Sequence, residues 1–478
     1  MQNANAQRNL TLYNLNAVPQ SMSLNPGRLP LSNVYVGIPA VGNIYGSYSN
    51  SSFTFGDLMG GDDGFFDNNF EDFLGILDNE NRLITDINNS WVDFGFRVKE
   101  NFFSFSVGEH VAFQADYPRS VFELFNDISN ENISIGKTQT YALGALGFNG
   151  SHYRSYSFGY ARAITPKLSG GIKLKFLSGL GNVSSFNYNL TFVNDFDNEF
   201  LGVSGRMDIF SSGMQMLADD PGGYITGNGN NGFAVDFGGV YNLSDQVELF
   251  FSALNIGRIH WKNDLTQNSF IANNVNLSAD NIEDFEEEVG EFIDELQMPG
   301  ATPMGSYKTG LPALVYLGGN YYFQPNTSVG AMLNPRFFEG NTDLAFMLSL
   351  QHRFGKWFQL LVNYSAYNKN AFNLGVGGAL NLGPLQIYLA SDNITPIFNL
   401  DNARNVQFNA GVNLSFGRKT RAEQLAELRG ENLDSLAVPR EDIVLNDQPR
   451  EQSIQQEEPV RPAAAPAPPP ESAGTEMK

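Results

Sequence analysis

The stretch LSLQHRFGKWFQLLVNYS, residues 348–365, decides the fold. Taken with the two residues before it, one row of alternate positions holds Phe346, Leu348, Leu350 and His352. The other row holds Met347, Ser349, Gln351 and Arg353. The pattern breaks at the turn-forming pair Gly355-Lys356 and resumes as a second alternating run, which is how a β-hairpin reads in sequence. The same form recurs in GYARAITPKLSGGIKLKF from Gly159, GGVYNLSDQVELFFSALN from Gly238, GGNYYFQPNTSVGAMLN from Gly318 and GGALNLGPLQIYLASDN from Gly377. Those hairpins turn at Thr165-Pro166, Leu243-Ser244, Gln324-Pro325 and Gly383-Pro384. No helical crossover separates them, so the chain reads as all-β, an antiparallel meander closed into a barrel.

The composition of the two strand faces names the solvent. A strand of a water-soluble sheet backs its apolar row with Lys, Glu and Thr, whereas here the second row carries Gly, Ser, Asn and Tyr. In NVQFNAGVNLSF, residues 405–416, Val406, Phe408, Ala410, Val412, Leu414 and Phe416 alternate with Gln407, Asn409, Gly411, Asn413 and Ser415. An apolar row backed by a polar row over about ten residues is the pattern of a transmembrane β-barrel strand. About 14 such strands are expected between Val34 and Gly417.

Composition agrees. The 478 residues include 48 Gly, 39 Phe and 19 Tyr, and no apolar run is long enough for a membrane helix, which needs about 18 residues. With no Cys, thiol catalysis, thiolate metal sites and disulfides are excluded together. A net charge of -22 excludes a nucleic-acid partner, which would demand a basic surface.

Four sections follow. Residues 1–6 end in Ala4-Asn5-Ala6 before Gln7, which reads as the remnant of a signal-peptide cleavage region. Residues 7–33 contain LNPGRLP and are either a plug folded into the lumen, with Asn25, Pro26 and Gly27 at its centre, or a periplasmic lead-in. Residues 34–417 are the outer-membrane barrel, whose even strand count places both termini in the periplasm. Residues 418–478 are a periplasmic, mostly disordered tail ending in RPAAAPAPPPESAG, preceded by a short helix in RKTRAEQLAELRGENL.

The long connections, assigned to the extracellular side, hold acidic amphipathic helices. One apolar stripe is Phe66, Phe70, Phe73, Leu74 and Leu77; a second is Ile282, Phe285, Val289, Phe292, Ile293 and Leu296; a shorter third is Phe122, Phe125 and Ile128. These rows either pack on the upper lumen or form an apolar surface for a ligand or partner, and periodicity does not separate the two.

Catalytic and metal chemistry find little support. His110, His152, His260 and His352 lack ligand spacing, and the glycine pattern at Gly227–Gly232 opens no helix that could hold a phosphate. Asp62, Asp63 and Asp67 lack the spacing of a calcium loop. The chain is therefore read as non-enzymatic, without cofactor or metal.

SLNPGRLP, NVYVGIPAVGNIYGSYSNSSF, DYPRSVFELF and LGPLQIYLASDNI together resemble a group of uncharacterised outer-membrane barrels of Bacteroidota. That group is similar to the long-chain fatty-acid transporter and the type 9 secretion shuttle barrel. The resemblance spans about Leu12 to Gly417 and implies a fourteen-stranded barrel with a lumenal N-terminal plug. It transfers no substrate and no binding residue, and Asn25-Pro26-Gly27 departs from the Asn-Pro-Ala of the wider set. The expected function is a scaffold or accessory subunit of an envelope complex, with outer-membrane lipid around it and a protein partner on residues 419–478. The alternative is passive uptake of a hydrophobic small molecule.

Overall fold

The computed structural model describes residues 8–54, 70–129, 139–186, 189–195, 200–227, 229–277, 305–338, 341–367, 370–398, 403–431 and 467. The ladder segments are β1 (Val34–Gly37), β2 (Ile44–Asn50), β3 (Glu80–Val98), β4 (Asn101–Pro118), β5 (Gln139–Ala142), β6 (Gly147–Ala163), β7 (Leu168–Phe186), β8 (Thr191–Asp195), β9 (Phe200–Ser212) and β10 (Asn230–Asn242). They continue as β11 (Val247–Trp261), β12 (Leu265–Leu277), β13 (Tyr307–Gly310), β14 (Ala313–Gln324), β15 (Thr327–Phe338), β16 (Asn341–Phe354), β17 (Phe358–Tyr367), β18 (Asn370–Leu382), β19 (Leu385–Ser391) and β20 (Asn405–Phe416). The described helices are α1 (Leu10–Asn14), α2 (Phe70–Ile76), α3 (Arg119–Ser129), α4 (Met214–Asp219), α5 (Pro221–Thr226), α6 (Thr395–Phe398) and α7 (Arg421–Arg429).

These segments build a closed antiparallel barrel of 14 strands. β1 and β2 act as one broken strand, since both pair with β3 and with β20. β13 and β14 form another, both pairing with β11. The pairings Val34↔Phe416 and Ile44↔Ala410 join first strand to last and close the wall, as hydrocarbon requires. The segments β5, β8, β9 and β12 extend the sheet beyond the upper part of β7.

Burial follows the alternation. In β16, Met347, Ser349, Gln351 and Arg353 are buried while Phe346, Leu348 and Leu350 are exposed. The exposed row extends around the wall through Phe158, Phe176, Phe233, Phe251, Leu317 and Leu389, a belt that suits lipid rather than water. The protein is a membrane-spanning β-barrel.

One end carries only short turns, and two of them rely on glycine in left-handed backbone, Gly355 and Gly383, each with φ of 59°. The opposite end is less uniform than the sequence suggests. β15 and β16 are joined there by residues 339–340 alone, and β17 and β18 by residues 368–369, so the longest connections belong to the other half of the wall. The strands of that half are also taller, β3 and β7 having 19 residues against 10 in β17 and 7 in β19.

Candidate functional site in the plugged lumen

Residues 8–33 lie inside the barrel. α1 is five residues long, too short to persist alone, and its stability comes from the wall. Its first amides meet a carboxylate: Leu10 N donates to Asp392 Oδ2 at 3.0 Å and Thr11 N to Oδ1 at 2.7 Å. That carboxylate satisfies amide groups that a helix start leaves free. Leu10, Leu12, Tyr13, Leu15 and Val18 then form one buried cluster with residues of β10, β11 and β14–β19, among them Phe250, Tyr316, Met347, Leu361 and Tyr388. The Tyr13 and Tyr316 rings stack with centroids 4.5 Å apart.

Polar contacts hold the rest of the segment. Ala17 N donates to Gln359 Oε1 at 2.9 Å, and Gln386 Nε2 donates back to Ala17 O at 2.9 Å. Gln20 Nε2 donates to Asn413 Oδ1 at 2.7 Å and to Asp93 Oδ2 at 3.1 Å. Ser252 donates to Leu24 O, and Ser169 to Gly27 O, each at 2.7 Å. Arg8 Nη1 donates to Asn334 O at 2.6 Å, and burial pulls its guanidinium down to about 10.

Asn25-Pro26-Gly27 sits where the plug approaches the wall most closely. A Cβ on Gly27 would meet Gly238 O at 2.3 Å, and one on Gly171 would meet Pro26 O at 2.1 Å. Gly238 would in turn meet the Asn25 side chain, and Gly377 that of Thr11. Several of the glycines that made the hairpins conspicuous in sequence are thus the places where the plug needs room.

The short-turn end is closed by α7. Thr420 and Glu423 form a capping box at its start, and Gly430 with φ of 70° ends it. Leu425 and Ala426 are buried, and Gln424 Nε2 donates to Leu29 O of the plug at 3.0 Å. The Arg421 guanidinium lies 3.7 Å over the Tyr322 ring and faces Glu248, which also pairs with Arg28 of the plug at 3.3 Å. The tail therefore begins as an ordered helix clasped to both barrel and plug.

At the opposite end α2 and α3 pack on each other. Phe73 meets Phe122 edge-on at 5.3 Å, Phe70 meets Phe125 at 5.9 Å, and Phe73 and Leu77 are buried with Phe53. Phe125 remains 45% exposed, so the patch keeps an open apolar face. Phe66, Phe285, Val289, Phe292 and Leu296 lie outside the described residues, as do Asp62, Asp63 and Asp67.

Between the plug and the wall of β3, β4, β6 and β7 a cavity of about 120 Å³ remains, polar in lining. His110 faces it, with Nδ1 2.6 Å from Asn88 Oδ1 and Nε2 2.8 Å from Ser155 Oγ. His152 instead meets Glu109 at 2.8 Å and Tyr224 of α5 at 2.8 Å. Sequence reasoning did not bring the cavity residues together. Their signal, inward Lys173 and Lys175 on a strand otherwise small and apolar on that face, was in view but without meaning until the plug was placed.

A closed membrane barrel with an inserted N-terminal plug is the class that these features define. Residues 26–392 match the model of a family of unknown function, DUF5723, and the chain belongs to that family. No curated protein matches the chain. Among solved structures it is similar to the toluene transporter TbuX of Ralstonia pickettii, at 12% identity over 83% of this chain and 94% of that one, with a TM-score of 0.42. It is also similar to a FadL homologue of Pseudomonas aeruginosa, at 10% identity over 86% and 97% of the two chains, TM-score 0.41. A third is the toluene transporter TodX of Pseudomonas putida, at 10% identity over 83% and 91%, TM-score 0.36.

Proposed function

We propose that this protein is a gated, non-enzymatic uptake channel for small polar or amphipathic molecules, with the short-turn end and α7 in the periplasm. The observation that carries the reading is the polar cavity left beside the plug. Leu10, Leu12, Leu15 and Val18 are buried against β10, β11 and β14–β19, and Met22 and Leu29 pack with Phe102 and Ala161, yet a polar cavity remains beside Asn9, Leu12, Ser23 and Leu24, facing β3, β4, β6 and β7. A barrel serving only as an anchor has no need of such a space. The exposed Phe125 and Ile76 beside the α2–α3 cluster offer a surface on which an amphipathic molecule can collect before it enters.

A connector role for the tail stands beside this reading, favoured by the docking of α7. The helix contacts the plug through Gln424 and shares Glu248 with Arg28. A partner that draws on residues 434–478 would thus act on the gate.

Planar-bilayer conductance of the full chain and of a chain lacking residues 8–33 tests the channel. The full chain should conduct rarely and the shortened chain persistently. Equal, negligible conductance in both, with the shortened chain still migrating on a gel as a folded barrel, would sink the reading.

A further inference from the structure

We propose that the lumenal cavity is a binding site for a small hydroxylated carboxylate of about the size of glycerate. It deepens the uptake reading, on which it rests for its purpose. The volume sets the size. A cavity of about 150 Å³ accommodates the six heavy atoms of benzene, so about 120 Å³ holds about five, and a ligand of glycerate's size keeps part of its chain in the cavity mouth.

The charge comes from Lys173. This side chain lines the cavity, its residue is 8% exposed, and it has neither hydrogen bond nor ion pair among the described residues. The two carboxylates whose charge reaches it are already engaged. Asp93 accepts from Tyr35 at 2.9 Å and from Gln20 at 3.1 Å. Asp236 pairs with Lys175 Nζ at 2.6 Å and accepts from Asn255 N at 2.7 Å. A buried ammonium without a partner is costly, and an anion in the cavity removes that cost.

The hydroxyl requirement comes from the other lining groups. Asn89 Oδ1 and Asn409 Oδ1 are buried acceptors with no donor among the described residues, and both residues line the cavity. Ser106 and Ser157 line it as well and have no hydrogen-bond partner there. A carboxylate can accept from Lys173 and the serines, while ligand hydroxyls donate to the two carboxamides. An apolar occupant would leave all of these groups unmet.

Calorimetric titration of the full chain in detergent with D-glycerate, glycerol and inorganic phosphate decides the matter. Glycerate should bind with one site per chain. Glycerol should bind at least about tenfold more weakly, as should glycerate to Lys173→Met, because a charged hydrogen bond is lost in each case. Lys173→Arg should stay close to wild type. Glycerol binding equal to glycerate, or an unaffected Lys173→Met, would reduce the cavity to a hydration pocket, and tighter binding of phosphate would overturn the ligand class. Should Lys173→Met not fold, Ser157→Ala and the glycerate-to-glycerol ratio on wild type carry the test. Flux of glycerate into proteoliposomes separates the two claims: binding without flux defeats the channel and keeps the site, and flux without binding does the reverse.

Discussion

The two sides of the lumen treat the same plug differently. Toward β14–β19 the plug presents Leu10, Leu12, Leu15 and Val18 to Met332, Met347, Leu361 and Ala390. Toward β3, β4, β6 and β7 the wall presents Asn88, Ser106, His110, Ser155 and Lys173 across a gap. Apolar contact is non-directional and stabilises by area, so one side anchors. Hydrogen bonds across the other can be exchanged for water at little net cost, so that side can part. Farther along the plug Met22 and Leu29 pack with Phe102 and Ala161, so the gap is confined to the cavity beside Asn9, Leu12, Ser23 and Leu24.

The strongest challenge to this comparison lies at Glu248, where plug, wall and tail meet. Glu248→Gln leaves Arg28 and Arg421 buried without their shared carboxylate, and breaking a buried pair in this way costs about 3–5 kcal/mol. Denaturant unfolding should show that loss, and bilayer recordings should show more frequent opening. A cost near zero would mean that the mouth is not held by charge.

Leu15→Ala removes packing on the anchoring side and should cost roughly 2–5 kcal/mol, with a rise in conductance because the plug loses its fixed wall. On the parting side Gln20→Ala removes hydrogen bonds to Asn413 and Asp93 and should cost only about 1–3 kcal/mol. If urea midpoints rank these two variants in the opposite order, the distinction between the walls fails.

The smallest effect concerns pH and the tail helix. The hydrogen bond from Arg429 holds the Asp245 carboxyl below its ordinary 3.8. Burial opposes the same shift at Glu423, yet Lys356 and the Thr420 amide outweigh it and bring the group below 4.5. Both folded values lie under the unfolded ones, so the stabilisation is complete above those ordinary values and is lost as pH falls through the folded values. A fluorophore on Leu428→Cys, unique because the chain has no Cys, should report α7 docked at pH 7 and loosening below about pH 4. Both groups are largely solvent-facing, which keeps the change modest.

Much of the barrel was legible in the sequence. The alternation in residues 346–353 and 405–416 places each side chain on the face where the structure has it, because a strand's period of two is a local property. The turns at Gly355-Lys356 and Gly383-Pro384 were readable for the same reason. α3 was visible as an apolar stripe over Phe122 and Phe125, and α2 as Phe70, Phe73 and Leu74. What these helices bury was not readable, since the partner rows come from Phe53 and from each other.

The site is different in kind. Leu10 reaches Asp392 across 382 residues of chain and Gln20 reaches Asn413 across 393, and no periodicity announces such pairs. By itself the sequence determined an antiparallel barrel in a membrane, because alternation and turn chemistry are written within a few neighbouring residues. Only the tertiary structure decided where the plug rests, that α7 closes the mouth, and that Lys173 lines a polar cavity, because each depends on groups brought together by closing the ring.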